Sequence, residues 1–394
     1  MQNIENIFST INKKGKGVLI YFFSLFKREK LIIYDVNKAS FNNKRCLLIY
    51  ITHPFLCKKV SYSHQNQWQA VEMARIIGNY GFVVDVADYQ SKNIELDYSY
   101  DLIIGLIPRG INIYSQHMNA NCILVAYLTS MNLEYTSKAG EKRIEELYKR
   151  RGVKLQPRRF AGYIQKDIEN FDAAWYIGNE YNFHSYDSFK MPPVFYIKNS
   201  GYTFEWVGED QRRDPKTFLF FGSLGAVHKG LDLLLEIFAE NVRDCTLYVC
   251  GCYLSESDFC KEYHKELFET SNIISVGFVD IESSAYKEIA GKCAFTLLPS
   301  CAEGCAGSVL TNMSAGIIPI VSKECGFDDD EVINLPDCKK ETIIKAINEY
   351  CMKSKEWIIA QSEKAIEVVK NRYSERNFTE SVENALKKTL ELRK

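Results

Sequence analysis

No stretch of this chain approaches the ~20 consecutive apolar residues needed to cross a bilayer. Val18–Phe26 (VLIYFFSLF) is only nine long, and no small-residue cleavage site follows it, which argues against a secretory leader. Net charge is also lacking. The 49 basic and 50 acidic residues nearly cancel, at −1. A protein built mainly to hold nucleic acid carries a strongly basic face, so that class is excluded. No two cysteines have C-x-x-C spacing. The 13 cysteines are odd in number, scattered, and often set within apolar runs, as are Cys46, Cys250 and Cys293. That pattern excludes a disulfide frame and fits core-filling thiols in a reducing, cytoplasmic setting. Cys301 and Cys305 lie four apart with no His or further Cys nearby, so no metal site is read there. There is no internal repeat and no low-complexity tract.

What is present is enough for two cores. Hydrophobic residues make up 46% of 394 and charged residues 25%, which fits two domains of about 150–200 residues each. Val18–Phe26 is flanked by Lys13, Lys14 and Lys16 before and by Lys27, Arg28 and Lys30 after. Two readings stay open: a peripheral anchor on the inner, anionic face of the cell membrane, or a helix packed on its own domain. Strand-like runs follow at Arg45–Thr52, Phe82–Ala87, Asp101–Leu106, Cys122–Leu128 and Phe171–Ile177. A helix from Ser61–Gln65 onward has Trp68, Val71, Ala74 and Ile77 on one face. Another is expected over Lys138–Arg151, closed by Gly152. Alternating strands and helices imply a parallel sheet, whose ligands sit beyond the carboxyl ends of the strands. His53, Ser63, His64, Arg109 and Thr129 fall on that edge. Lys149, Arg150, Arg151, Lys154, Arg158 and Arg159 form a run without acids. It reads as a solvated face or as a contact for headgroups or a phosphorylated acceptor.

Asn199–Lys216 is polar and turn-rich and marks the linker. A second α/β series follows. It has strands at Thr217–Phe221, Cys245–Cys250 and Ile273–Val276, and helices at Leu231–Glu240 and Ala285–Ala290. Its key stretch is Leu297–Gly316, LLPSCAEGCAGSVLTNMSAG. An apolar strand stops at Pro299-Ser300. A small-residue loop with Glu303 then feeds a helix for which Ser308 is a plausible N-cap. Such a loop at a helix N-terminus suits a phosphate, because unpaired N–H groups and the helix dipole favour an anion. A second phosphate-gripping loop runs from Gly222 to Gly230, with Lys229 ahead of the next helix; its plain reading is a helix cap and a surface lysine. Glu341–Lys370 reads as helix, and Ser374–Leu392 as a final helix with Phe378, Val382, Ala385, Leu386 and Leu390 inward. The boundaries are 1–40 for a basic and apolar extension, 41–205 and 206–373 for two α/β domains, and 374–394 for the last helix.

FGSLGAVHKGLDLLLEIF, VGFVD and LLPSCAEGCAGSVLTNMSAGIIPIVS, in that order, resemble the donor-binding half of family 4 glycosyltransferases. The resemblance spans roughly Thr217–Glu375. It implies the GT-B fold: two facing Rossmann-like domains with parallel sheets, and a C-terminal helix crossing back to the first. It further implies transfer of a sugar from a nucleotide-diphosphate donor to a glycan or lipid-linked acceptor. Anomeric configuration would be retained, no metal or other cofactor needed, and the setting would be surface polysaccharide synthesis. The first Glu of the family's Glu-x7-Glu signature falls on Glu303, beside the transferred sugar, and its diphosphate Lys on Lys229. Together these are the expected catalytic pair. Gly222, Gly225, Gly304, Gly307 and Ser308 match the donor loops. Gly277, Phe278 and Val279 match the segment that reads the nucleobase. Two positions depart: the second Glu, which holds the ribose, is Thr311, and the family's Arg is Ser223. The family's metal-free chemistry leaves Asp328–Glu331 as a solvated loop. His64 and His117 are acceptor-side candidates in the first domain, and His228 could orient its loop or touch the sugar. Two rival readings stand beside the transferase: a non-catalytic GT-B protein that binds a partner transferase or glycan, and a nucleotide-sugar epimerase.

Overall fold

The computed structural model describes residues 32–39, 43–91, 95–105, 115–159, 166–207 and 213–393. Val18–Phe26 with its basic flanks, and Arg109, lie outside the described residues.

The first domain is built on seven strands: β1 (Ile32–Ile33), β2 (Lys44–Tyr50), β3 (Phe82–Asp88), β4 (Tyr100–Gly105), β5 (Met118–Leu128), β6 (Ala173–Tyr176) and β7 (Val194–Tyr196). Their order is β1-β3-β2-β4-β5-β6-β7, parallel throughout except for β1, which runs antiparallel to β3. Ile32 and Ile33 therefore belong to the sheet and not to a separate N-terminal extension. The apolar run in β2 is fully buried from Cys46 to Ile49 because helices cover both faces of such a sheet. Helix α1 (Gln65–Asn79) and helix α2 (Leu133–Arg151) supply part of that cover. Asn132 accepts from the amides of Glu134 and Tyr135, so α2 starts five residues before the Lys138 expected from periodicity. Gly152, at φ +73°, closes it.

The second domain has β8 (Asp214–Gly222), β9 (Thr246–Gly251), β10 (Ile273–Gly277), β11 (Cys293–Leu298), β12 (Ile318–Ser322) and β13 (Ile333–Leu335). All pairings are parallel, in the order β10-β9-β8-β11-β12-β13. Counted from β8, this is the 3-2-1-4-5-6 order of a Rossmann sheet, with its switch point between β8 and β11. Helices α3 (Leu231–Glu240), α4 (Ser284–Lys292) and α5 (Gly307–Ser314) alternate with the strands. The helix expected over Glu341–Lys370 is two: α6 (Lys340–Tyr350) and α7 (Lys355–Arg372). Ser354 caps the second through the Trp357 amide, which interrupts the run.

The described part of the linker packs through Phe204 and Arg213. Phe204 sits in an aromatic group with Tyr286, and buried Arg213 donates to the carbonyls of Ala290 and Cys293 at 2.7 Å. The last helix, α8 (Glu375–Glu391), begins at a Ser374–Asn377 capping box and returns to the first domain. There Trp68 meets Phe378, and Trp175 donates its indole N–H to Thr389 at 3.0 Å. Thr389 gives a buried indole the partner it needs.

Candidate active site

The carboxyl ends of the two sheets face each other, and the switch point of the second lies on that junction. β8 ends at Gly222, and β11 leads through Pro299 into the loop that carries Glu303. The turn 225–230 is folded on itself: Lys229 N–H donates to Gly225 O at 2.9 Å, and Leu231 N–H to Ala226 O at 2.9 Å. Gly225 has φ +97° and Gly230 φ +75°, where a side chain is strained. A Cβ on Gly230 would also stand 2.6 Å from Pro299 O. The turn is thus pressed against the β11 loop, which carries Lys229 inward.

Lys229 and Glu303 meet there as a buried ion pair through Nζ and Oε1. Ser300 donates to the same carboxylate oxygen at 2.9 Å. A second cation reaches Glu303 from the other domain: Arg159 Nη1 lies 3.3 Å from Oε2. The pKa values of Glu303 and Lys229 shift in the directions that burial and these charges set. The charges of Lys229 and Arg159 outweigh burial and hold the Glu303 carboxyl far below the usual carboxylate range. Burial, then the charge of Arg159, lowers the Lys229 ammonium. Glu303 is therefore an ionised acceptor and not a proton donor.

His228 is buried and fully engaged. Its Nε2 lies 2.7 Å from Ala302 O, and a carbonyl can only accept, so Nε2 carries the proton. Nδ1 lies 3.3 Å from Cys301 Sγ. Burial and the Arg159 charge push its pKa down to about 4. His228 therefore ties the turn to the Glu303 loop as a neutral ring. His64 caps α1 by accepting from the Asn66 amide at 3.2 Å. It stands at the edge of the junction, where the surrounding walls and the charges of Arg159 and Lys229 lower its pKa. His117 precedes β5, at the amino end of the first sheet, and its Nδ1 contacts Tyr98 O at 3.1 Å. That is the far edge from Glu303, because all strands there except β1 run one way, so His117 is not part of this site. Ser308 is corrected too: α5 opens at Gly307, with Ala306 as N-cap and no side-chain cap bond. Thr311 Oγ1 bonds back to Gly307 O at 3.1 Å and accepts from Gln65 Nε2 at 3.0 Å.

The remaining donor-loop candidates take structural positions around this pair. A Cβ on Gly222 would lie 3.1 Å from Lys229 Cδ, so that glycine leaves room for the lysine stem. Gly304 is pressed against the first domain, where a Cβ would stand 2.4 Å from Thr129 O and 2.7 Å from Ile177 O. On Gly307 a Cβ would stand 2.3 Å from the Gln65 side chain. Gly277, at φ +81°, donates to Tyr253 Oη at 3.1 Å. It turns β10 so that Val279 is buried and Phe278 is exposed, and a Cβ on Gly277 itself would stand 2.7 Å from Leu254 Cδ1.

Several residues that the sequence did not single out hold the two domains together here. Met131 N–H donates to Glu303 O at 3.0 Å, and Asn182 Nδ2 reaches the carbonyls of Glu303, Gly304 and Glu324. Within the second domain, Glu256 accepts from the amides of Gly225 and Ala226. In the basic run beginning at Lys149, the solvated-face reading fits exposed Lys149 and Lys154, whereas three of the arginines are spent on ion pairs. Arg150 pairs with Asp232 and Glu236, Arg151 with Glu262 and Glu266, and Arg158 with Glu256 and Asp258. Each of these acids is in the second domain. Asp328–Glu331 is not simply solvated either: Glu331 is buried against Arg372 and Tyr373. No group of His, Cys, Asp and Glu among the described residues could hold a metal ion, and no described helix is long and apolar enough to cross a membrane.

Comparison with known proteins agrees with this architecture. Residues 215–351 match the family model described as glycosyl transferases group 1. No curated protein sequence matches. Among solved structures, sucrose-phosphate synthase from Thermosynechococcus elongatus is similar at TM-score 0.62 and 12% identity, covering 88% of this chain and 100% of that one. HepE from Anabaena, in complex with UDP and glucose, is similar at 0.56 and 13% identity, covering 89% and 100%. TarM is similar at 0.51 and 14% identity over 74% of this chain, which spans about half of TarM's length (54%). The fold is GT-B: two Rossmann-like domains with a C-terminal helix that returns to the first.

Proposed function

We propose that this chain is a glycosyltransferase that takes a sugar from a nucleotide-diphosphate donor bound at the β8–β11 switch point. One observation carries the reading: Lys229, Glu303 and the N-terminus of α5 converge at that point, inside a region that matches a glycosyltransferase family model. The diphosphate would lie between Lys229 and the first amides of α5, around Gly307 and Ser308. As the bond from sugar C1 to the phosphate oxygen breaks, charge grows on the leaving group, and a fixed cation and helix dipole stabilise it there. Glu303, ionised and beside the sugar, suits a hydroxyl contact or a developing positive charge at C1. Exposed Phe278, just past the carboxyl end of β10, and exposed Leu254, in the turn after β9, suit a nucleobase face. Retention at C1 and a reaction without metal complete the proposal. So do a glycan or lipid-linked acceptor and work at the cytoplasmic face of a membrane in surface polysaccharide synthesis. The HepE complexes make a uridine donor the first to try.

A second reading has specific support. Thr311 and Ser223 lack the charged groups of the resembled family, and Glu303 is already neutralised by two cations, which fits a GT-B protein that binds a partner and has lost catalysis. An epimerase finds no support, since Glu303 stays ionised and both ring nitrogens of His228 are engaged. Calorimetry with UDP, GDP, ADP and CDP separates the two. The transferase reading expects one nucleotide to bind selectively, and about 10–100-fold more weakly to Lys229→Ala, the range for a lost charged hydrogen bond. No binding to a folded chain overturns it in favour of the partner-binding reading.

A further inference from the structure

We infer that Arg159, from the first domain, is the second diphosphate-binding cation of this site, replacing across the domain junction the arginine that position 223 lacks. The inference rests on the donor-site reading above and names the residue that completes it.

Arg159 Nη2 lies 3.2 Å from Ser223 Oγ, and Nη1 lies 3.3 Å from Glu303 Oε2. Its guanidinium therefore bridges the residue where the cation is missing and the carboxylate beside Lys229. The side-chain stem passes over Gly225, where a Cβ would stand 3.4 Å from Arg159 Cγ. Gly225 leaves room for that crossing. The segment before Arg159 is strapped to the second domain independently. Arg158 pairs with Asp258 and Glu256, and the Gln156 amide donates to Asp258 at 3.3 Å. Those bonds set the position of Arg159 without using its own charge.

Arg159 is not consumed by the contacts it makes. Its side chain keeps about a third of its exposure, at 32%, whereas that of Lys229 is buried. It borders a shallow depression with Gly225, His228 and Phe259. Glu303 carries one charge against two cations, so the group keeps a net positive charge for an anion. A planar guanidinium offers paired donors to phosphate oxygens, which a serine cannot. Because this cation comes from the opposite domain, an open arrangement would lack it. Grip on the diphosphate is then coupled to domain closure.

The test measures calorimetric affinity of the full chain for UDP, GDP, ADP and CDP. It compares wild type, Arg159→Ala, Ser223→Arg and the Arg159→Ala/Ser223→Arg double variant, with thermal melts to confirm folding. The inference expects Arg159→Ala to weaken the bound nucleotide about 10–100-fold. It expects the double variant to recover most of that loss, since the cation is restored from the other side. A merely structural strut would not be rescued from position 223. Unchanged affinity in Arg159→Ala, or a double variant as weak as the single one, overturns the inference while leaving the donor site standing. A wild type that binds none of the four overturns the donor-site reading itself, and this inference with it.

Discussion

Gln65 of the first domain donates its side-chain amide to Thr311 of the second at 3.0 Å, and to Gly307 O at 2.8 Å. Thr311 stands where the resembled family carries its second carboxylate. Here the position is spent on a bond between domains, at the first turn of the helix that faces the proposed diphosphate. Gln65→Ala removes both bonds and should cost about 1–2 kcal/mol of the closed arrangement. Hydrogen exchange at Gly307–Thr311 reads this as faster exchange in the variant; unchanged protection contradicts it.

Gly304 makes a sharper test of the same junction. An added Cβ would stand 2.4 Å from Thr129 O and 2.7 Å from Ile177 O, and backbone carbonyls cannot swing away. Gly304→Ala should therefore push the domains apart while leaving each sheet intact. Small-angle scattering should show a larger radius of gyration with unchanged far-UV circular dichroism. An unchanged radius would mean that the loop yields and the domains do not.

The arginine pairs across the junction predict a salt effect. Arg151 pairs with Glu262 at 2.8 Å and with Glu266 at 2.7 Å, and all three are largely shielded. Arg151→Ala strands two acids and should lower stability by about 2–4 kcal/mol, near the range for breaking a partly buried pair. Screening shortens from about 10 Å at 0.1 M salt to about 3 Å at 1 M. The gap between wild type and variant in denaturant unfolding should narrow as salt rises, and a constant gap contradicts an ionic origin.

His228 predicts the pH dependence. Its pKa is about 4 in the folded chain, against about 6.5 unfolded. The unfolded chain therefore binds the proton first as pH falls, and stability is lost between pH 6.5 and 4. The difference amounts to about 3 kcal/mol. Asp232, raised to about 6 by burial, acts in the opposite sense over that window. The measurement is therefore the stability of wild type minus that of His228→Gln, whose amide can still donate to Ala302 O. This difference should fall steadily from pH 6.5 to 4. A flat difference would mean that His228 is not held neutral.

The second domain was the more legible half, for physical reasons. Its strands are short apolar runs that stop at glycine or proline, and Leu231–Glu240 follows from periodicity alone. Lys229 and Glu303 stood out because each sits between a strand end and a helix start. Asn182 did not, and Arg159 and Gln65 entered only as part of a basic run and a helix start, because their meaning lies in partners 64 to 246 positions away. One signal was available for the arginine run. Asp258, Glu262 and Glu266 recur every four residues, an acidic stripe that matches a basic run without acids of its own. Ser308 misled because a serine before an apolar stretch resembles a cap, whereas the helix opens one residue earlier at Gly307. The break at Ser354 was hidden because both flanking segments have helical periodicity.

The most direct test of the central claim is release of nucleoside diphosphate from UDP-, GDP-, ADP- and CDP-hexoses, with water as the default acceptor, by wild type, Lys229→Ala and Glu303→Gln. A donor site at the β8–β11 switch point predicts release from one nucleotide class. It also predicts a fall of about 100-fold or more in both variants, the scale of losing one preorganised electrostatic contact to a transition state. No release from any donor, or equal release by wild type and both variants, would contradict it.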